Sequence, residues 1–146
     1  MRRLYDILLV EDNPADVEIT LEAFRRNNSG ARVSVCRDGE DAIDYMFQRN
    51  RYVRGLNAPR PDIILLDLNL PRRNGLEVLE QIKKHELLRD IPIIILTTSD
   101  RDDDVRNCYH AGANNYLNKP VQFDDCVTLV ATIQHYWLDL TKLPPR

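Results

Sequence analysis

The sequence predicts an α/β protein built on a doubly wound, five-stranded parallel sheet of strand order 2-1-3-4-5. Three observations carry this expectation. Three short runs, Ile7-Leu8-Leu9-Val10, Ile63-Ile64-Leu65-Leu66 and Ile93-Ile94-Ile95-Leu96, are aliphatic throughout with no polar alternation. Strands buried on both faces by helices read this way. Helical patterns separate the strand candidates, so strand and helix alternate five times, and parallel strands joined through helices take right-handed crossovers. The chain has 146 residues, which suits one domain and leaves little room for two.

Each element has its own signal. After the first run, Asn13-Pro14 offers an N-cap followed by proline at the first helical position, with Asp16 in the first turn. Val17, Leu21 and Phe24 then share one helical face. Arg32–Cys36 is a weaker second strand, and a second helix is expected over Asp41 to Gln48. The stretch Arg49–Pro61 is turn-rich and carries Arg49, Arg51, Arg54 and Arg60. It reads either as a solvated loop or as a docking surface for an acidic partner. A third helix starts near Gly75, with Leu79 and Ile82 inward. A fourth, over Asp102–Ala111, is expected to bury Val105, Cys108 and Tyr109. Asn115–Leu117 is the fifth strand, and a fifth helix runs from Asp124 to Leu138 with Val127, Val130, Ile133 and Trp137 aligned. The core is expected over about 5–139, a short tail over 140–146, and no output domain.

Composition narrows the function. A formal charge of −3 gives no overall positive field to draw the chain to nucleic acid or to an anionic membrane. The N-terminus meets acids after four apolar residues in a row, too short a run for a signal-peptide core or a membrane span. Cys36, Cys108 and Cys126 follow no metal-ligand spacing and read as buried or idle thiols in a reducing cytoplasm. His85, His110 and His135 are equally unpatterned. Tyr136, Trp137, Leu138, Leu140 and Leu143 give the end of the chain unusual apolar content. It reads either as a tail folded back on its own domain or as a homodimer contact.

Ligands of open α/β sheets collect outside the carboxyl ends of the strands, where strand order reverses. At those ends stand Glu11-Asp12, Asp67, Thr97-Thr98 and Lys119-Pro120. Three neighbouring carboxylates repel, so some must be protonated or a cation must lie between them. Oxygen ligands with room for water suit Mg²⁺. A carboxylate beside such a metal can attack a phosphoryl group and form an aspartyl phosphate. Mg²⁺, Lys119 and the Thr97 hydroxyl could then balance charge on the transferring oxygens. Taken singly the residues say less: an acidic pair after a strand is often a capping loop, and a lone lysine is usually a solvated charge. Asp67 is harder to dismiss, because a carboxylate isolated behind four aliphatics costs on the order of several kcal/mol in desolvation.

The motifs Leu8-Leu9-Val10-Glu11-Asp12-Asn13, Leu65-Leu66-Asp67-Leu68-Asn69-Leu70-Pro71, Asn74-Gly75, Leu96-Thr97-Thr98, Gly112-Ala113 and Lys119-Pro120 resemble the signature set of response-regulator receiver domains, over roughly residues 5 to 138. The resemblance implies the flavodoxin-like receiver fold and phosphorylation of Asp67 by a sensor histidine kinase. It implies Mg²⁺ held by Glu11, Asp12 and Asp67, directly or through water, with the backbone carbonyl of Asn69 as a further ligand. It makes Lys119 the phosphoryl-contacting lysine, Thr97 and Tyr116 the pair that moves on activation, and Lys119–Pro120 a cis peptide bond. The signal is expected to leave through a downstream protein or phosphotransfer partner. Any catalysis is limited to self-phosphorylation from small phosphodonors and self-dephosphorylation.

A narrower likeness rests on the long Arg49–Pro61 connection, Leu-Leu-Asp-Leu-Asn-Leu-Pro, Leu-Thr-Thr-Ser and the Tyr136-Trp137-Leu138 tail with Leu143-Pro144. These are similar to the small regulators paired with cyanobacterial phytochromes. Thr98 stands where many receivers carry Ala, Gly or Ser, although Thr is expected in the narrower group. Three rivals remain. A haloacid-dehalogenase-like phosphatase would need a second Asp two residues after the nucleophile, and Asn69 stands there. A flavodoxin-like cofactor binder would need a Ser/Thr/Gly-rich phosphate loop after the first strand, where Glu11 and Asp12 lie instead. A non-phosphorylated pseudo-receiver scaffold would not need the full set of carboxylates and Lys119.

Overall fold

The computed structural model describes residues 4–28, 30–55 and 57–145. Five parallel strands, β1 (Asp6–Val10), β2 (Arg32–Cys36), β3 (Ile63–Leu66), β4 (Ile93–Thr97) and β5 (Asn115–Asn118), form one sheet of order β2-β1-β3-β4-β5. Between and after them lie α1 (Pro14–Arg26), α2 (Gly39–Met46), α3 (Gly75–Lys84), α4 (Asp102–His110) and α5 (Phe123–Ile133).

The aliphatic runs form strands because successive side chains point to opposite faces, and here both faces are covered. Leu8, Val10, Ile64, Leu66, Ile93 and Ile95 pack with Ala42, Ile43, Val78, Leu79, Ile82 and Cys108 from α2, α3 and α4. Ile7, Leu9, Ile63, Leu65 and Ile94 pack with Ala23 and Phe24 of α1 and Cys126, Val130 and Ile133 of α5. Each fully buried Leu or Ile contributes about 1.5–3 kcal/mol relative to exposure, so these two layers fix the sheet between the helices.

Caps set where three helices begin. Asn13, Asp38 and Asn74 each accept a backbone N–H from three residues on, from Asp16 (3.1 Å), Asp41 (2.7 Å) and Glu77 (3.0 Å). Such a cap is worth about 1 kcal/mol. Because Asp38 is the cap, α2 starts at Gly39 rather than at Asp41, and it ends at Met46 rather than Gln48.

Three further expectations are corrected. On α4 only Cys108 is buried; Val105 is half-buried and Tyr109 is 49% exposed. The fourth helix rests on the sheet edge beside β5, so its burying stripe is narrow. The α-helical geometry of α5 ends at Ile133 and widens to a π-helical segment over Gln134–Leu140. That widening puts Leu138 into the core, with Trp137 and Leu143 packed against it, while Tyr136 and Leu140 stay exposed. The tail is thus folded back on its own domain.

The third correction concerns Arg49–Pro61. It contains a 3-10 segment over Asn50–Gly55, kinked at Val53–Arg54, and it is anchored. Tyr52 is buried, edge-on to Tyr45 at 5.1 Å, and its hydroxyl donates to Asp41 at 2.9 Å. Arg51 pairs with Asp41 at 2.8 Å, Arg49 lies over the Phe47 ring at 4.9 Å, and Arg60 donates to the Leu87 carbonyl at 2.8 Å. Three of its four arginines thus have partners inside the chain, while Arg49, Arg51 and Arg54 remain exposed.

Candidate phosphoacceptor site

β1 pairs with β2 on one side and with β3 on the other, so strand order reverses between β1 and β3. Val10 stands opposite Leu66, and the Asp67 N–H donates to the Val10 carbonyl at 3.1 Å. Glu11-Asp12 and Asp67 therefore leave adjacent strands at the same level. Ligand oxygens of Glu11, Asp12 and Asp67 all lie within 4.8 Å of one another. Glu11 and Asp67 are buried, at 2% and 5% exposure, and Asp12 reaches solvent.

Lys119 follows β5, and its backbone N–H donates to the Thr97 carbonyl at 2.8 Å. That bond aims the side chain into the crevice. Its ammonium donates to Glu11 Oε2 at 2.8 Å, Asp67 Oδ2 at 2.8 Å and Asp16 Oδ2 at 3.0 Å. The peptide bonds of the described residues are all trans, Lys119–Pro120 included. The expected cis bond is absent, and the lysine reaches all three carboxylates from the trans backbone.

Thr97 is fully buried at the end of β4, and its hydroxyl accepts the Ser99 N–H at 3.4 Å. Asn69 is exposed and directs its N–H to Asp67 Oδ1 at 3.3 Å. Tyr116 lies one strand further out, half-buried, its hydroxyl donating to the Ser99 carbonyl at 2.8 Å. Behind the phosphoacceptor loop, α3 begins at Gly75, where a Cβ would stand 2.2 Å from the Asp67 carbonyl oxygen. Only glycine permits that approach.

The charges interlock. Burial, then the hydrogen bond and charge of Asp67, push the Glu11 carboxyl up to about 8, against the pull of Lys119. Burial works against ionising Asp67 too, but hydrogen bonds from Glu11, Lys119 and Thr97 hold it below its ordinary range. For Lys119, burial disfavours the charge, and the bonds to Asp67, Glu11 and Asp16 outweigh it and hold the ammonium charged. The site thus favours the ionised form of Asp67 beside the Lys119 ammonium, with an excess of acidic oxygens. That donor set, all oxygen with one side open to solvent, fits a hard divalent cation such as Mg²⁺.

Asp16 is the site residue that the sequence reading left out, having counted it only as a first-turn acid. A signal existed: α1 starts directly after the strand that carries Glu11 and Asp12, so its first turn must border the same crevice.

A buried, lysine-paired aspartate within a cluster of acidic oxygens, at the switch point of a 2-1-3-4-5 sheet, is the arrangement of the receiver class. Residues 7–131 match the response regulator receiver domain model, and the chain belongs to that family. It is 40% identical over 138 residues to the response regulator Rcp1 of Synechocystis, covering 94% of this chain and 92% of Rcp1. The probable methanogenesis regulatory protein FilR2 of Methanothrix harundinacea is 44% identical over 138 residues, covering 94% of this chain and 86% of FilR2. Among solved structures, the phosphorylated cyanobacterial phytochrome response regulator RcpA superposes with a TM-score of 0.91 at 38% identity, covering 98% of this chain and 100% of RcpA. The Mn²⁺-bound form of Rcp1 gives 0.88 at 39% identity, covering 97% and 99%. Among the described residues, no helix is long and apolar enough to cross a membrane.

Proposed function

We propose that this chain takes a phosphoryl group from the phosphohistidine of a phytochrome-type sensor histidine kinase onto Asp67. The observation that carries the reading is the buried Asp67 with Lys119 Nζ 2.8 Å from its Oδ2 and two further acidic ligands alongside. An Asp67 oxygen attacks phosphorus, the P–N bond to the kinase histidine breaks, and its electron pair returns to the imidazole nitrogen. Glu11, Asp12 and Asp67, with the Asn69 carbonyl, would hold Mg²⁺, which when bound neutralises negative charge on the phosphoryl oxygens. Lys119 donates to those oxygens and Thr97 turns its hydroxyl toward them. Kinship with Rcp1 and the likeness to RcpA support the phytochrome pairing.

The chain then acts as a switch and not as an enzyme on an outside substrate. Its own chemistry is limited to self-phosphorylation from small donors and loss of the phosphoryl group to water. Output passes by contact with a downstream protein or phosphotransfer partner, in the cytoplasm, where free buried thiols such as Cys36, Cys108 and Cys126 persist. Exposed Tyr136 and Leu140 offer apolar area to a second copy of the chain.

Incubation with acetyl phosphate and Mg²⁺, followed by intact mass measurement, tests the assignment. Wild type should gain one phosphoryl group and Asp67→Asn none, with circular dichroism unchanged. Undiminished labelling of Asp67→Asn would refute it.

A further inference from the structure

An ammonium has three N–H donors, and all three of Lys119's are engaged, by Glu11, Asp67 and Asp16. Glu11 and Asp67 belong to the cluster of acidic ligand atoms, and Asp16 does not. Lysine and divalent cation therefore compete for the same two carboxylates. The Lys119 side chain is only 14% exposed, so water is a poor substitute for a partner it gives up. Asp16 stands on the first turn of α1, its backbone N–H tied to the Asn13 side chain at 3.1 Å, and its side chain is 37% exposed. It keeps much of its hydration.

We propose that Asp16 is the positioning residue for Lys119: it keeps the ammonium paired when a divalent cation takes the oxygens of Glu11 and Asp67, and so sets the affinity of the site for that cation, an inference that rests on the metal-dependent reading of Asp67 above. With Asp16 present, an ammonium moving off Glu11 retains a full counter-charge and stays at the edge of the crevice. Without it, the lysine has only the metal-binding carboxylates as anionic partners and holds the cation off. A second effect has the same sign, since any nearby carboxylate attracts a cation through space. The two differ in whether Lys119 is required.

Calorimetric Mg²⁺ titration of wild type, Asp16→Asn, Lys119→Met and the double variant separates them. Asp16→Asn should weaken Mg²⁺ binding about three- to tenfold when Lys119 is present, and less than about twofold in the Lys119→Met background, the signature of a coupled pair. A metal-free readout accompanies it: the ¹⁵N signal of the Lys119 ammonium should show slow proton exchange in wild type, faster exchange in Asp16→Asn, and recovery in Asp16→Glu. Equal weakening in both lysine backgrounds would reduce Asp16 to a remote charge, and no weakening in either would leave it without a role; each overturns the proposal. Wild type that binds no Mg²⁺ would overturn the metal reading itself, and this proposal with it.

Discussion

The hydroxyl of Tyr116, on β5, donates to the carbonyl of Ser99 at 2.8 Å, two residues beyond the buried Thr97 that ends β4. The ring thereby ties the outer strand to the β4–α4 loop, and the same loop directs the Ser99 N–H back to Thr97 Oγ1 at 3.4 Å. Any rotation of Thr97 toward a phosphoryl group on Asp67 must disturb that loop.

Thr97→Ala should therefore still accept phosphate from acetyl phosphate, more slowly, and transmit less of the change. A phosphoryl mimic can shift the population only through its differential contacts with the two states, and the Thr97 hydroxyl is one of them. With beryllofluoride, amide shifts at Tyr116 and Ser99 should be clearly smaller in Thr97→Ala than in wild type. Equal shifts in both would route the coupling elsewhere.

Saturating Mg²⁺ should raise the unfolding temperature, since it binds the folded cluster and not the open chain. At a hundredfold excess over Kd the gain is about 2.7 kcal/mol. Asp12→Ala removes an acidic ligand that reaches solvent, and thermal melts with and without Mg²⁺ should then nearly coincide.

The raised Glu11 carboxyl makes metal binding pH-dependent. Its folded value of about 8 lies above the ordinary 4.5, so between those values the folded chain holds a proton that the unfolded chain has released. Stability from this group is full below 4.5 and is lost as pH rises through 8. Asp67, held low, contributes with the opposite sign and loses its share in acid. A cation needs Glu11 ionised, so binding releases a proton below 8 and should tighten with pH, by at most about tenfold per unit. Calorimetry in two buffers of different ionisation enthalpy measures that proton directly.

Gly75→Ala should destabilise by about 1–3 kcal/mol, the usual cost of overpacking, because its Cβ would meet backbone and not a movable side chain: Asp67 O at 2.2 Å and Leu68 Cα at 2.7 Å. Phosphorylation should slow as well, since the displaced backbone carries Asp67. Urea denaturation and acetyl phosphate labelling together check this, and a variant with wild-type stability would contradict the close packing.

Much of this arrangement was legible in the residues. The all-aliphatic runs could only be strands covered on both faces, and β2 lies over Arg32–Cys36 as its composition suggested. Once the order 2-1-3-4-5 was set, Glu11, Asp12, Asp67, Thr97 and Lys119 had to fall at the carboxyl edge. What stayed hidden depended on side-chain reach or on sheet edges. Tyr109 has helical spacing from Val105 yet lies outside the narrow face that α4 buries. The place of Asp16 on the first turn of α1 marks the crevice but not its partner, a lysine from 103 residues away. The π-helical end of α5 is likewise invisible to a 3.6-residue period.

The anchoring of Tyr52 bears on how receivers can be recombined. Its hydroxyl bonds Asp41 on α2 and its ring meets Tyr45 of the same helix. Arg51, Tyr52 and α2 thus form one block rather than a helix with an insert. A chimera that transplants the connection alone would strip Asp41 of two donors and leave an aromatic without its slot. A graft from Asp38 to Pro61 carries the Tyr52 contacts with it, and must also match its partners outside, Arg73 against Glu40 at 3.0 Å and the Leu87 carbonyl against Arg60 at 2.8 Å.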